Sequence, residues 1–313
     1  MNSLSFSNAN AVLAAKSKSF YWARHFLGQQ HAQRATRLYR LCRYMDDLVD
    51  ESVAVSETHL VLAQTKDALR RGSSSDPVIL DGIELLNECN IDPEIFIELI
   101  AGVESDLQTV RVPDMDALLH YCYQVAGTVG LMMCKVLESD DKQAFAHAVD
   151  LGIAMQLTNI CRDVAADAAL GRRYLPASLV GDLSPDQLLN PSLDTKKIVQ
   201  SCMAELLVCA DSYYESGERG LVYLPRIARG GILLASRLYK AIGSELKRKE
   251  LEFWQGRAVV SPARKSYISA QTMCAFFTHP IFWRLPMAHN PALHKPLLKV
   301  NSLTTSIFLE HAE

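Results

Sequence analysis

Leu38-Tyr39-Arg40-Leu41-Cys42-Arg43-Tyr44-Met45-Asp46-Asp47-Leu48-Val49-Asp50 is the stretch from which the rest of the chain is read. At about 100° per residue, Tyr39, Arg43, Asp46 and Asp50 share a helical stripe roughly 60° wide. Leu38, Cys42, Met45 and Val49 form an apolar stripe directly beside it. A solvated acidic face normally lies opposite the apolar one, so these carboxylates belong at the margin of a core. Two carboxylates four residues apart repel each other on a helix. Something cationic must offset them: Arg43 in part, with a metal ion as the further candidate.

A second stretch, Gln156-Leu157-Thr158-Asn159-Ile160-Cys161-Arg162-Asp163-Val164-Ala165-Ala166-Asp167, repeats the geometry. Gln156, Asn159, Asp163 and Asp167 share one face, and Ile153, Ile160 and Val164 adjoin it. Two such helices facing each other would make a hard-cation site. Carboxylate and amide oxygens without thiolate or imidazole suit Mg²⁺, which keeps several waters and bridges substrate phosphates. Arg43, Arg162, Arg172 and Arg173 are candidates to bind those phosphates. The same spacing also fits a buried ion-pair network between helices.

Working outward, the helical period holds almost everywhere. Only Pro77, Pro93 and Pro113 fall in the first 175 residues. Asp76-Pro77 and Asp92-Pro93 read as N-cap and first helical residue. The spacing predicts helices near 8–27, 31–53, 57–71, 78–89, 93–110, 115–138, 141–167, 195–218, 227–251 and 262–278. The segment 168–193, with Gly171, Pro176, Gly181, Pro185 and Pro191, reads as a long connection carrying one helical turn. No strand alternation, linker or repeat divides the chain. The expectation is one all-α domain over residues 1–280, with 281–313 as a tail packed on the bundle. Gly127 and Gly130, inside the apolar helix after Tyr121-Cys122-Tyr123, call for close approach by another helix or by a ligand.

Composition narrows the function classes. The chain has 313 residues, 32 Lys+Arg against 35 Asp+Glu, and a net charge of −3. That balance lacks the basic excess of a nucleic-acid binder. With 49% hydrophobic residues it can bury a large core. No uncharged apolar run reaches spanning length, and the N-terminus lacks the regions of a secretory signal. Eight cysteines without a C-x-x-C pair read as buried thiols in a reducing cytoplasm. The nine histidines show no paired metal-ligand spacing. Polyphosphate ligands at one end of an apolar, aromatic-edged tunnel fit a prenyl diphosphate substrate.

The chain resembles the squalene/phytoene synthase family, most closely its bacterial phytoene-forming members. The matching blocks are Ser17-Lys18-Ser19-Phe20, Cys42 to Asp50, Tyr121-Cys122-Tyr123, Gln156 to Ile160, Arg162-Asp163, Arg172 to Pro176, Ala210 to Tyr214 and Gly220 to Pro225, running on to Tyr239. The resemblance implies the all-α isoprenoid synthase bundle with a central cavity. It implies that Asp46 and Asp50 bind metal on one wall, and Asn159, Asp163 and Asp167 on the other. Arg43, Arg162 and Arg172 would hold diphosphate, helped by Ser17, Ser19 and Tyr39. Tyr123, Gln156, Tyr174 and Tyr239 match positions lining the reaction chamber. Ala165-Ala166 stands where the family often has Gly-Glu, and Gly230-Gly231 replaces bulkier residues.

The reaction so implied joins two geranylgeranyl diphosphates head to head, through prephytoene diphosphate, to phytoene. It would use Mg²⁺, or Mn²⁺ in its place, and no NADPH. A carotenoid desaturase is the expected downstream partner, and peripheral contact with the inner membrane face is compatible with a hydrocarbon product. The nearest rival is a farnesyl diphosphate enzyme making presqualene diphosphate, squalene or dehydrosqualene. A non-catalytic helical assembly protein is the remote one, and the intact acidic motifs speak against it.

Overall fold

The computed structural model describes residues 18–278 and 288–297, and within them every regular element is a helix. In chain order these are α1 (Lys18–Ala23), α2 (Gln29–Asp50), α3 (Val55–Arg71), α4 (Pro77–Glu88), α5 (Pro93–Ser105), α6 (Met115–Cys122), α7 (Thr128–Val136), α8 (Lys142–Ala169), α9 (Ala177–Val180), α10 (Pro185–Leu189), α11 (Leu193–Arg219), α12 (Arg226–Arg248) and α13 (Pro262–Thr278). Their starts are set by local chemistry. The side chains of Asp76, Asp92, Asp114, Asp141 and Ser192 each accept from backbone N–H groups of the first turn they precede. Such caps satisfy donors that a helix start would otherwise leave orphaned. Gly72, at φ 72°, ends α3 in the left-handed conformation.

Helix α8 is the axis of the molecule. Its buried residues, from Ala144 through Val149, Ile153, Leu157, Ile160 and Val164 to Ala168, cover more than half of its circumference, and the remaining face, with Ala148, Gly152, Gln156 and Asn159, lines a cavity. A helix covered this widely is central, and α8 packs against α6, α7, α10, α11 and α12. Two apolar clusters result. One joins α8 with α11 and α12. The other joins α2 with α3, α4, α5 and α7.

The stretch read as one helix over 115–138 is broken. Residues Tyr123–Gly127 form a π turn between α6 and α7. Close packing accompanies the break. A Cβ on Gly130 would lie 2.1 Å from the Ala148 carbonyl oxygen, and one on Gly152 would lie 2.2 Å from that of Ala126. The glycines therefore mark a backbone-to-backbone crossing of α8, which accounts for their presence. The connection between α8 and α11 carries two short helices, α9 and α10, where the sequence reading allowed one turn.

Of the tail, residues 288–297 are described. A 3₁₀ turn, Pro291–His294, lies over α8 and α11: the Tyr213 hydroxyl donates to the Leu293 carbonyl at 2.7 Å, and Leu297 is buried in the core. Phe282, Trp283 and Leu285 of the tail lie outside the described residues. None of the eight cysteines is bridged, and five of them are buried.

Candidate active site

A cavity of about 640 Å³ lies between the two apolar clusters. Along α8 its lining runs from Arg162 and Asn159 through Gln156, Gly152 and Ala148 to Ala144. At 1.5 Å per residue that is a path of roughly 27 Å. On the facing side α2 contributes Asp46, Arg43, Tyr39 and Ala35, and α12 contributes Tyr239 and Ile232. Polar groups concentrate at the Asp46–Arg162 end. Leu137, Leu221 and Leu224 line the other, where the surface is mostly apolar and the polar groups are His147 and the hydrogen-bonded pair Arg24 and Thr36.

The two acidic helices form opposite sides of the polar end. On α2, Arg43 is ion-paired with Asp47 and stands 3.9 Å from Asp46. On α8, Arg162 Nε donates to Asp163 Oδ1 at 2.9 Å. Arg172, just beyond α8, reaches across to Asp50 at 2.7 Å. The carboxyl of Asp46 opens to the cavity and is partly exposed there, though protein surrounds it closely. Burial, with Asp50 and Asp106 nearby and only partly offset by Arg43, pushes it up to about 7. Asp167 is pushed up to about 8 by burial and by Asp163, with Arg172 opposing. Asp106 acts on both, which puts one buried carboxylate within range of both walls.

Asp106 is a site residue the sequence reading missed. Its Oδ1 accepts from Tyr174 at 2.7 Å and its Oδ2 from Tyr121 at 2.8 Å, and the two rings stack 4.9 Å apart. Tyr174 thus braces the floor of the walls; it is not among the cavity-lining residues. Arg257 was missed as well: its Nε lies 2.8 Å from Asp163 Oδ1, on the cavity wall. Neither has a local signal. Asp106 lies just past α5 and Arg257 in the irregular segment before α13, so only the fold brings them here. Lys265, 9% exposed, also lines the cavity.

Of the residues expected at the site, Tyr39, Arg43, Asp46, Gln156, Asn159, Arg162 and Tyr239 line the cavity. Asp50, Asp163, Asp167 and Arg172 surround its polar mouth through the contacts above. Tyr123 sits on the π turn, buried in the core against Gly127 and outside the lining. Arg173 is committed elsewhere: fully buried, it donates to the carbonyls of Val112 and Leu175. Ser19 falls on α1, and Ser17 lies outside the described residues.

At the polar end of the cavity, two buried side-chain atoms make no hydrogen bond among the described residues. Asn159 Oδ1 is buried and accepts no hydrogen bond, although its Nδ2 reaches Gln156 at 3.3 Å. Arg43 Nε is buried and donates to nothing. An orphaned acceptor on the acidic wall suits a cation, and an orphaned guanidinium donor opposite suits an anion. The donor set is all oxygen, so the residues present fit a hard divalent ion with a phosphate.

The squalene/phytoene synthase family matches residues 13–264, and the chain belongs to that family. It is an enzyme that transfers prenyl groups. It is 31% identical to the 15-cis-phytoene synthase of Enterobacter agglomerans over 80% of this chain and 88% of that protein. It is 32% identical to the phytoene synthase of Pseudescherichia vulneris over 82% of this chain and 87% of the relative. The fold is similar to a solved dehydrosqualene synthase, with TM-score 0.77, 24% identity, and coverage of 88% of this chain and 97% of that one.

Proposed function

We propose that this enzyme condenses two geranylgeranyl diphosphates head to head, through prephytoene diphosphate, to phytoene. The observation that carries the reading is the pair of oxygen-bearing walls, with orphaned Asn159 Oδ1 and Arg43 Nε, at the polar end of an apolar cavity. Two relatives named phytoene synthases, each about 30% identical along most of the chain, favour the twenty-carbon substrate.

Asp46 and Asp50 on one wall, with Asn159, Asp163 and Asp167 on the other, would hold Mg²⁺. The bound ion supplies Lewis acidity toward the leaving diphosphate. Arg43, Arg162, Arg172 and Arg257 orient the diphosphate oxygens and balance their charge. Gln156 and the Tyr39 hydroxyl fix the head of the substrate beneath them. The faces of Tyr39 and Tyr239 stabilise positive charge on the allylic carbons, worth about 2 kcal/mol in a desolvated setting. The apolar wall from Gly152 to Leu137 keeps water from quenching that charge. Tyr174 acts from below, by fixing Asp106.

Among the described residues no helix is long and apolar enough to cross a membrane. Exposed Trp22, Phe26, Ile227 and Phe277 support peripheral contact with a lipid surface, through which a hydrocarbon product would leave.

The deciding assay incubates the purified protein with geranylgeranyl or farnesyl diphosphate separately, with and without NADPH. Phytoene from the twenty-carbon substrate, independent of NADPH, is the expected result. A thirty-carbon product alone would overturn the assignment of substrate.

A further inference from the structure

A second cluster of ligating side chains lies far from the acidic walls. Asp150, 13 residues before Asp163 on the same helix, is about 20 Å from it along the axis. Its carboxylate is fully buried. Oδ1 lies 2.7 Å from His294 Nε2, and Oδ2 lies 2.7 Å from His289 Nε2. The three ligand atoms fall within 4.8 Å of one another. The Ser216 hydroxyl donates to Oδ2 from α11, and His147 Nδ1 lies 3.1 Å from the same Ser216 oxygen. The His147 ring meets the His289 ring edge-on, with centroids 5.2 Å apart.

Three features make this a site rather than a surface cluster. A buried carboxylate is costly unless its charge is matched, and among the described residues the ion-pair partners of Asp150 are the two imidazoles alone. Two imidazole nitrogens and one carboxylate oxygen form a donor set suited to zinc, unlike the all-oxygen walls at the cavity mouth. Tetrahedral bonds of roughly 2.0–2.1 Å put ligand atoms about 3.4 Å apart. The observed contacts of 2.7 Å need to open by only about 0.7 Å to accept such an ion.

We propose that Asp150, His289 and His294 form a structural Zn²⁺ site, with water or His147 as fourth ligand, that fastens the C-terminal tail to α8. Sequence spacing alone could not show it. His289 and His294 are brought together by the 3₁₀ turn Pro291–His294, and their partner is about 140 residues earlier. The cluster also backs onto the cavity: His147, whose ring meets that of His289, lines the cavity beside Ala144 and Leu221.

The test uses the full-length protein stripped with a chelator and kept in excess Mg²⁺, so that the oxygen walls stay occupied. Co²⁺ is then titrated while its visible spectrum is followed, and Zn²⁺ stoichiometry is measured by mass spectrometry. One equivalent per chain, a tetrahedral Co²⁺ spectrum displaced by Zn²⁺, and a Zn²⁺-dependent rise in Tm are expected. Ser216→Ala should weaken binding about 10- to 100-fold, as the loss of a hydrogen bond to a ligand does. Asp150→Asn should abolish it. Because that variant disturbs a fully buried group, His289→Gln, at a tail position 13% exposed, carries the test with helix content checked in parallel. Wild-type protein that takes up no Zn²⁺ under these conditions overturns the proposal. So does a His289→Gln variant that binds as wild type does, and either result leaves a hydrogen-bonded clasp without an ion.

Discussion

Arg172 Nη1 lies 2.7 Å from Asp50 Oδ1, joining the turn after α8 to the last residue of α2. One guanidinium thus links the two acidic walls. A cation and a diphosphate arriving between them would meet a carboxylate on one side and a charged donor on the other.

Removing a carboxylate from either wall should therefore cost activity without costing the fold. Asp50→Asn and Asp163→Asn are each expected to lower turnover by about 100- to 1,000-fold, the scale of losing one preorganised electrostatic group. Product formation in saturating Mg²⁺ and far-ultraviolet circular dichroism together check this. Wild-type turnover in either variant would contradict it.

Arg172→Lys keeps the charge but loses the planar fork. Loss of one charged hydrogen bond, about 1.5 kcal/mol, should raise the KM for the prenyl diphosphate roughly 10-fold. Steady-state kinetics against wild type measures it.

The Asp106 carboxylate satisfies two buried tyrosine hydroxyls at once. Asp106→Ala removes the shared acceptor and leaves the two hydroxyls only each other, 3.2 Å apart, at about 1–3 kcal/mol, whereas Tyr174→Phe leaves Tyr121 its bond to Asp106 and costs about 1 kcal/mol. Denaturant melts of the two variants should rank in that order.

At the α7–α8 crossing, Gly130→Ala would drive a methyl group to 2.1 Å from the Ala148 carbonyl oxygen, part of a helix backbone that cannot step aside. A loss of at least about 1–3 kcal/mol in stability is expected. A smaller methyl-induced loss at Gly72, whose surroundings are open but whose φ is 72°, would separate strain of conformation from collision.

Asp76 caps α4 and holds Tyr44 of α2, whose hydroxyl donates to Asp76 Oδ2 at 2.7 Å. Burial pushes its carboxyl up, but the Tyr44 hydroxyl and the Ile79 and Val78 N–H groups outweigh it and hold it below the usual value. A lowered value in the fold means stability that is present at neutral pH and lost as pH falls through that lowered value. Asp76→Ala should cost about 1 kcal/mol at pH 7 and progressively less below about pH 4. Thermal melts across that range test the sign.

Most helices were legible because caps and apolar periods are local. Asp76-Pro77 and Asp92-Pro93 announce α4 and α5, and the period read over 141–167 agrees with Lys142–Ala169 to within two residues at each end. The paired acidic motifs were legible for the same reason: each lies along one face of a single helix. What escaped depends on distant segments meeting. The π turn at Tyr123 coincides with a crossing by Gly152, and Arg257 reaches Asp163 over 94 residues. Arg173 reads as a phosphate ligand beside Arg172, yet the chain turns it inward to the carbonyls of Val112 and Leu175.

Calorimetric titration with a non-ionisable geranylgeranyl diphosphate analogue, with and without Mg²⁺, tests the central claim most directly. Binding that requires Mg²⁺ in the wild type, and that falls sharply in both Asp46→Asn and Asp163→Asn, is the predicted result. Equal binding without Mg²⁺, or undiminished binding in both variants, would show that the two walls do not jointly hold the diphosphate.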